Sequence, residues 1–247
     1  MSRSVHARRP AESDVADRVA SLDWERIGSD LDQHGCATTG ALLSAEECTA
    51  LSSRYGDDAI YRSRVIMARH GFGRGEYKYF SYPLPDTVAS LRAALYPPLA
   101  EVANRWNGQL GIDQRFPADH AAYLKRCHAA GQTRPTPLLL QYGAGDYNCL
   151  HQDVYGELVF PLQVAFLLSR PGEDFSGGEF VLTEQRPRMQ SRAEVVPLRR
   201  GDAVIFPVRE RPVQGGRGWH RRALRHGVSR VRSGLRLTLG IIFHDAR

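Results

Sequence analysis

The stretch Leu150–Leu158, LHQDVYGEL, runs directly into the apolar segment VFPLQVAFLL at 159–168. A histidine and an aspartate thus stand two positions apart at the mouth of what reads as a buried strand, where ionisable groups are costly unless something compensates them. Side chains at i and i+2 of a strand share a face, so His151 and Asp153 present an imidazole and a carboxylate together while Gln152 points away.

Outward from this point the C-terminal half keeps one character. From Leu138 to the end, short apolar or alternating runs (PLLLQYG, GGEFVLTE, AEVVPLRRGDAVIFPV, GLRLTLGIIFHD) are separated by glycine, proline and polar turns. Many short strands at close spacing predict a sandwich or barrel of the jelly-roll kind. Residues 1–137 read differently. Apolar positions Val15, Val19, Leu22, Ile27 and Leu31 recur at helical spacing, and the helical reading extends from Ser13 to Tyr55. A second helix there starts at Ser44, which forms a capping-box pattern with Glu47. Residues 65–82 read as a glycine-interrupted hairpin or lid carrying Tyr77, Lys78, Tyr79, Phe80 and Tyr82, and two further helices follow before the turn-rich QTRPTP at 132–137. The expected fold is mainly β with α: a jelly-roll core over 138–247, buttressed by an N-terminal helical region over 1–137.

With 42% hydrophobic and 24% charged residues in 247, the composition is that of a soluble globular protein, long enough for one substantial core. No apolar run approaches the roughly 18–20 residues that span a bilayer. The basic start lacks an apolar h-region, so a loose N-terminal tail, no secretory signal and a cytoplasmic location are expected. Cys36, Cys48, Cys127 and Cys149 form no CxxC pair, which argues against structural zinc or a disulfide framework. The net charge of +6 is almost all arginine, a weak pointer to a polyanionic partner.

Redox iron is commonly held by two histidines and one carboxylate on one face of an octahedron, leaving the opposite positions open. The third ligand suggested for His151 and Asp153 is His226, 73 residues beyond Asp153, far enough for several strands to intervene. His220, in the loop-like GGRGWHRR, is the rival. Ten residues after His226, Arg236 shares a strand face with Thr238, while Leu235, Leu237 and Leu239 face the other way. A guanidinium there can hold a carboxylate through a bidentate fork.

In this ordered set the chain resembles the Fe(II)/2-oxoglutarate-dependent dioxygenases, whose pattern is HxD, a distant histidine, and R-x-S/T on the last core strand. The resemblance takes in FSGGEFVLTE at 175–184 and VVPLRRGDAVIFP at 195–207, in the manner of the prolyl-hydroxylase-like and AlkB-like cores. It implies that His151, Asp153 and His226 hold Fe(II), and that Arg236 and Thr238, with Tyr142, bind 2-oxoglutarate. Dioxygen is the other co-substrate. The runs GGEFVLTEQRPRMQSRAEVVPL and RHGVSR are most similar to a bacterial oxygenase group described as acting in oxidative demethylation of damaged nucleic acid. That likeness implies alkylated nucleic acid as substrate and a role in DNA repair.

The alternatives are hydroxylation of a protein side chain or a small metabolite at the same centre, and a metal-free binding module on the same jelly roll. Arg186, Arg188 and Arg192 suit phosphates or are simply a solvated loop. The tyrosines of 77–82 stack on an extruded base or merely cover a sheet.

Overall fold

The computed structural model describes residues 15–153, 156–185 and 189–247. The expected tail at 1–14, together with Arg186 and Arg188, lies outside the described residues. Helices α1 (Val15–Ala20) and α2 (Trp24–His34) open the chain, followed by β1 (Ala37–Ala41), α3 (Ala45–Ser53), β2 (Tyr61–Ile66), β3 (Gly73–Arg74) and β4 (Glu76–Phe80). Two longer helices, α4 (Asp86–Gln109) and α5 (His120–Ala129), precede the remaining strands. These are β5 (Leu138–Tyr142), β6 (Tyr147–His151), β7 (Leu162–Leu167), β8 (Phe175–Gly177), β9 (Phe180–Gln185), β10 (Arg192–Val196) and β11 (Asp202–Pro207). The last four are β12 (Glu210–Gly215), β13 (Gly218–Val228), β14 (Val231–Gly234) and β15 (Arg236–Ile242).

The strands form two facing antiparallel sheets. The major sheet has the order β1-β11-β7-β15-β5-β4-β2; the minor has β10-β9-β13-β6-β3, with β12 on the far half of β13 and a separate β14-β8 pair. The central major strands are apolar throughout because both their faces are covered. On β15, Leu237, Leu239 and Ile241 enter the core shared with the helices, while Arg236, Thr238, Gly240 and Ile242 face the space between the sheets. Each such buried Leu or Ile contributes about 1.5–3 kcal/mol. The minor-sheet residues Phe180, Leu182 and Leu224 meet Val204 and Phe206 across that space.

Helix signals read from sequence are realised as caps. The Ser44 and Glu47 side chains each take a backbone N–H of the other, closing the capping box of α3. Asp23 caps α2, whose end at Gly35 returns its N–H to the Leu31 carbonyl.

Three expectations are corrected. The helical reading from Ser13 to Tyr55 is interrupted by β1, whose backbone completes the edge of β11 (Ala37 opposite Ile205, Thr38 opposite Val204); ladder bonding to a distant strand overrides local periodicity. The hairpin expected at 65–82 is the pair β2–β4, and it is a wall rather than a lid, since β4 also pairs with β5 from Glu76 opposite Gln141 to Tyr79 opposite Leu138. Residues 1–137 therefore do not stand apart from 138–247: they supply β1, β2 and β4 to the major sheet and β3 to the minor, and α1–α5 share one core with β15 and β7. Among the described residues no helix is long and apolar enough to cross a membrane.

Candidate functional site

The ladder between β6 and β13 sets His151 directly opposite His226. Beyond the end of β6 the chain carries Asp153 back toward both rings, with its N–H held by the Val208 carbonyl at 3.1 Å. Asp153 Oδ1 lies 3.4 Å from His151 Nε2, and Oδ2 lies 3.2 Å from His226 Nε2. One donor atom from each residue falls within 4.8 Å of the others, the sole such group of ligand-type side chains among the described residues. His220 is excluded as third ligand: it sits on the exposed β12–β13 hairpin, 3.3 Å from an Arg222 nitrogen.

Gly227, next to His226, allows this closeness, since a Cβ there would stand 2.6 Å from the Asn148 carbonyl oxygen. The register shift between His226 and Val228 falls at this point.

The donor set is tuned from behind. His151 Nδ1 donates to the Cys149 carbonyl at 2.8 Å, which fixes the ring with Nε2 turned toward Asp153. His226 is buried against Phe206, with ring centroids 4.7 Å apart. Gln163 of β7 donates from Nε2 to Asp153 Oδ2 at 2.8 Å. Burial works to raise the Asp153 pKa, but hydrogen bonds from His151 and His226 and their charge hold it well below the ordinary carboxylate range. Burial lowers His226 despite Asp153, while at His151 the opposing burial is outweighed by Asp153 and the pKa is raised. Two imidazoles and one ionised carboxylate converging on one point form the donor set of a divalent transition metal with open positions.

The same cavity, about 310 Å³, is lined by Arg236, Thr238 and Tyr142 as well as by the metal-type cluster. Arg236 is 2% exposed, and its Nη1 donates to Thr238 Oγ1 at 2.5 Å, but its Nε has no hydrogen-bond partner. Arg236 also makes no salt bridge among the described residues, and burial pushes its pKa down to about 10. Tyr142 lies opposite Arg236 in the β5–β15 ladder, its ring centroid 5.7 Å from the guanidinium carbon, and its hydroxyl accepts from Asn148 Nδ2 at 3.3 Å.

The GG of the GGEF run has a steric reason. Gly178 has φ +65°, and a Cβ on it would come within 3.0 Å of Arg236 Cδ. A buried guanidinium short of partners fits an anionic co-substrate, and a carboxylate would complete its hydrogen bonding.

The expected site residues His151, Asp153, His226, Arg236, Thr238 and Tyr142 are thus brought to one cavity. Arg192 is not among its lining residues and pairs in register with Glu184 on the far edge of the minor sheet. Residues not singled out from sequence are Gln163, Asn148 and Phe72. Gln163 had a signal, a lone amide inside the apolar run LVFPLQVAFLLS. Phe72, 43% exposed, and the inward Tyr77 and Tyr79 add aromatic wall.

Comparison with known proteins agrees with this geometry. A family described as "Oxygenase, catalysing oxidative methylation of damaged DNA" matches residues 75–246. Uncharacterised proteins of Mycobacterium tuberculosis strains H37Rv and CDC 1551 are each 47% identical over 197 residues, 80% of this chain and 79% of theirs.

Among solved structures, a prolyl-4-hydroxylase of Pseudomonas putida superposes with TM-score 0.52 at 15% identity, covering 91% of this chain and 99% of its own. A prolyl hydroxylase of Trichoplax adhaerens, solved with a hypoxia inducible factor peptide, gives 0.55 at 14% identity over 93% and 91%. An oxidoreductase of the 2OG-Fe(II) oxygenase family from Burkholderia pseudomallei gives 0.50 at 15% identity over 96% and 95%. These structures share the fold, and Fe(II) and 2-oxoglutarate are the cofactors that the donor set and the buried arginine fit. By its sequence match over residues 75–246, the chain belongs to the oxygenase family so described.

Proposed function

We propose that this chain is an Fe(II)- and 2-oxoglutarate-dependent oxygenase that removes N-methyl groups from alkylated nucleic acid. The observation that carries the proposal is the shared cavity: a His–Asp–His donor set and a buried guanidinium with an unpartnered Nε open into the same 310 Å³. His151, Asp153 and His226 would hold the metal, and Arg236, with Thr238 and Tyr142, would take the far carboxylate of 2-oxoglutarate. Bound iron, with 2-oxoglutarate and dioxygen as co-substrates, supplies oxidation of a substrate C–H bond with release of succinate and carbon dioxide.

The protein's own contribution is placement. The Cys149 carbonyl fixes the His151 tautomer, and Gln163 holds one oxygen of Asp153. Phe180 and Phe206 shield His226 from water. Phe72, Tyr77 and Tyr79 line the cavity with aromatic faces suited to a planar ring such as a nucleobase. Oxidation at an N-methyl carbon releases that carbon as formaldehyde, so we read the family's chemistry on damaged DNA as methyl removal and a repair role. All four cysteines are free thiols, in keeping with a reducing cytoplasm, where Fe(II) persists.

The test is a paired assay of succinate and formaldehyde with N-methylated oligonucleotides, methylated peptides and free amino acids. Formaldehyde from the oligonucleotides supports the proposal. Succinate stimulated only by peptides or amino acids would transfer the same centre to a protein or metabolite substrate. Absence of both iron binding and succinate would leave a binding module.

A further inference from the structure

The segment Arg209–Arg225 carries six arginines and one acid, Glu210, a surplus of five in a chain whose total is +6. In the structure this segment is the β12–β13 hairpin. Among the described residues, β13 pairs with β9 from Ala223 onward, and β12 and β13 pair with each other from Glu210 opposite Ala223 up to the turn between Gly215 and Gly218. Side chains alternate along β13. Arg222 turns inward to the buried Glu184, as does Arg211 from β12. Trp219, Arg221 and Arg225 take the opposite, exposed face, and Arg217 is exposed at the tip. Arg209 is exposed at the base, and Glu210, shared between Arg209 and Arg221, is the one acid of the segment available to offset them.

This arm is rooted in the oxygenase site. Gln152, which lines the cavity, donates to the carbonyls of Arg209 and Leu224 at 3.0 and 2.9 Å, one on each leg of the hairpin. Val208, just before the hairpin, holds the Asp153 N–H, and β13 itself runs on into His226. We infer that the β12–β13 hairpin is a docking arm for a nucleic-acid backbone, with Arg217, Arg221 and Arg225 on phosphates and Trp219 stacking on a base. The inference rests on nucleic acid being the substrate. Phosphate contacts supply most nucleic-acid affinity, and an exposed indole among arginines adds a stacking face. An anionic membrane would use the same charge, but Trp219 is the one large apolar side chain exposed on this arm, against the broad apolar face that interfacial binding needs.

The test measures binding of a fluorescein-labelled, unmethylated oligonucleotide, single-stranded and duplex, to the full chain by anisotropy across a salt series. Trp219 is the one exposed tryptophan, Trp106 being buried and Trp24 half-buried, so binding quenches intrinsic fluorescence in the native chain and not in Trp219→Phe. The triple variant Arg217→Gln/Arg221→Gln/Arg225→Gln weakens binding at least about tenfold and lowers the salt slope by about two to three. Trp219→Ala weakens binding with the slope unchanged. The double variant Arg217→Gln/Arg221→Gln repeats the test should the triple variant melt early.

Undiminished binding by these variants, no oligonucleotide binding by the native chain, or preference for phosphatidylserine vesicles overturns the docking arm. No methyl group or turnover enters the measurement, so demethylation without arm-dependent binding refutes the arm alone. Arm-dependent binding without demethylation refutes only the proposed chemistry.

Discussion

Strand β15 begins at one buried arginine and ends against another. Arg236, its first residue, faces the cavity. Arg92 of α4 reaches the strand's far end, donating from Nε to the Ile242 carbonyl at 2.8 Å. Both are 2% exposed, yet their surroundings differ. Arg92 also donates to Tyr82, to the His244 carbonyl and to Asp245 Oδ1 at 2.8 Å, and Asp245 is itself wholly buried and hydrogen-bonded to Tyr82 and His128. Arg236 has Thr238, the faces of Tyr142 and Phe175, and an unpartnered Nε. A buried cation matched by the protein's own acid closes a structure; one left without an acid marks where a ligand's acid belongs.

The largest effect is expected at the open end. Asp153→Ala deletes the one carboxylate of the donor set and is expected to abolish Fe(II) binding, read by metal content after dialysis. Iron retained at the native level would remove Asp153 from the centre.

Exchanging each arginine for methionine tests the comparison itself. Arg92→Met strands Asp245 as an unpaired buried charge and is expected to cost about 3–5 kcal/mol of stability, measured by urea unfolding. Arg236→Met removes a buried cation that forms no salt bridge among the described residues, so stability should hold or rise. Its expected cost falls on 2-oxoglutarate affinity, by about 2–5 kcal/mol, or roughly 30-fold to several thousand-fold. If Arg236→Met unfolds the chain while leaving co-substrate affinity intact, the two arginines do the same work and the distinction fails.

The closed end also predicts a pH dependence. Burial, then the charge of Arg92, pushes the pKa of both His120 and His244 down to about 4 from 6.5. The His120 Nε2 donates to the Phe243 carbonyl, and His244 Nδ1 accepts from the Phe160 N–H, so both rings fit as neutral imidazoles. The unfolded chain takes up these protons as pH falls below 6.5, whereas the folded chain does so only near 4. The stability these two rings contribute is therefore complete above 6.5, declines between 6.5 and 4, and is lost below. Each histidine accounts for a decline on the order of 3 kcal/mol. Urea unfolding at pH 5 and 7 measures it, and His120→Gln should flatten the profile.

How much was legible in sequence follows the same division. The open end was readable because its chemistry is local in pattern: HxD at the end of one strand, and Arg-x-Thr with leucines on the other face of another. Strand alternation accounts for Arg236 and Thr238, whereas Asp153 lies past the end of β6 and meets His151 because the chain turns back there. The closed end was not, because Arg92, His128, Tyr82 and Asp245 are scattered over more than 160 residues and meet only through tertiary packing. His120, His128 and His244 have no ligand-type spacing in the sequence for that reason. Strand β1 was hidden likewise, since ATTGA has little pattern of its own and is made a strand by β11. The glycines of GGEF and HGV could be noticed, but their reasons, contact with Arg236 and with the Asn148 carbonyl, exist only in three dimensions.

Gln163 sharpens the comparison at its finest grain. It is 5% exposed on β7 of the major sheet, yet its amide nitrogen reaches across to Asp153, which follows a minor-sheet strand. It is to Asp153 what Tyr82 and His128 are to Asp245, a side-chain donor that orients the carboxylate. Gln163→Leu keeps the side-chain volume and removes that donor, so Asp153 Oδ2 retains only His226 and the carboxylate gains freedom to rotate. Fe(II) affinity is expected to fall by about 10- to 100-fold, the range for residues that orient metal ligands, while Tm changes little because leucine suits the surrounding apolar strand. Gln163→Glu separates orientation from charge: it places a second carboxylate beside Asp153 and should lower affinity for 2-oxoglutarate as well as geometry-dependent metal binding. An iron affinity in Gln163→Leu equal to that of the native chain would show that Asp153 is held by the two histidines alone, and that the major sheet contributes Arg236 but nothing to the metal.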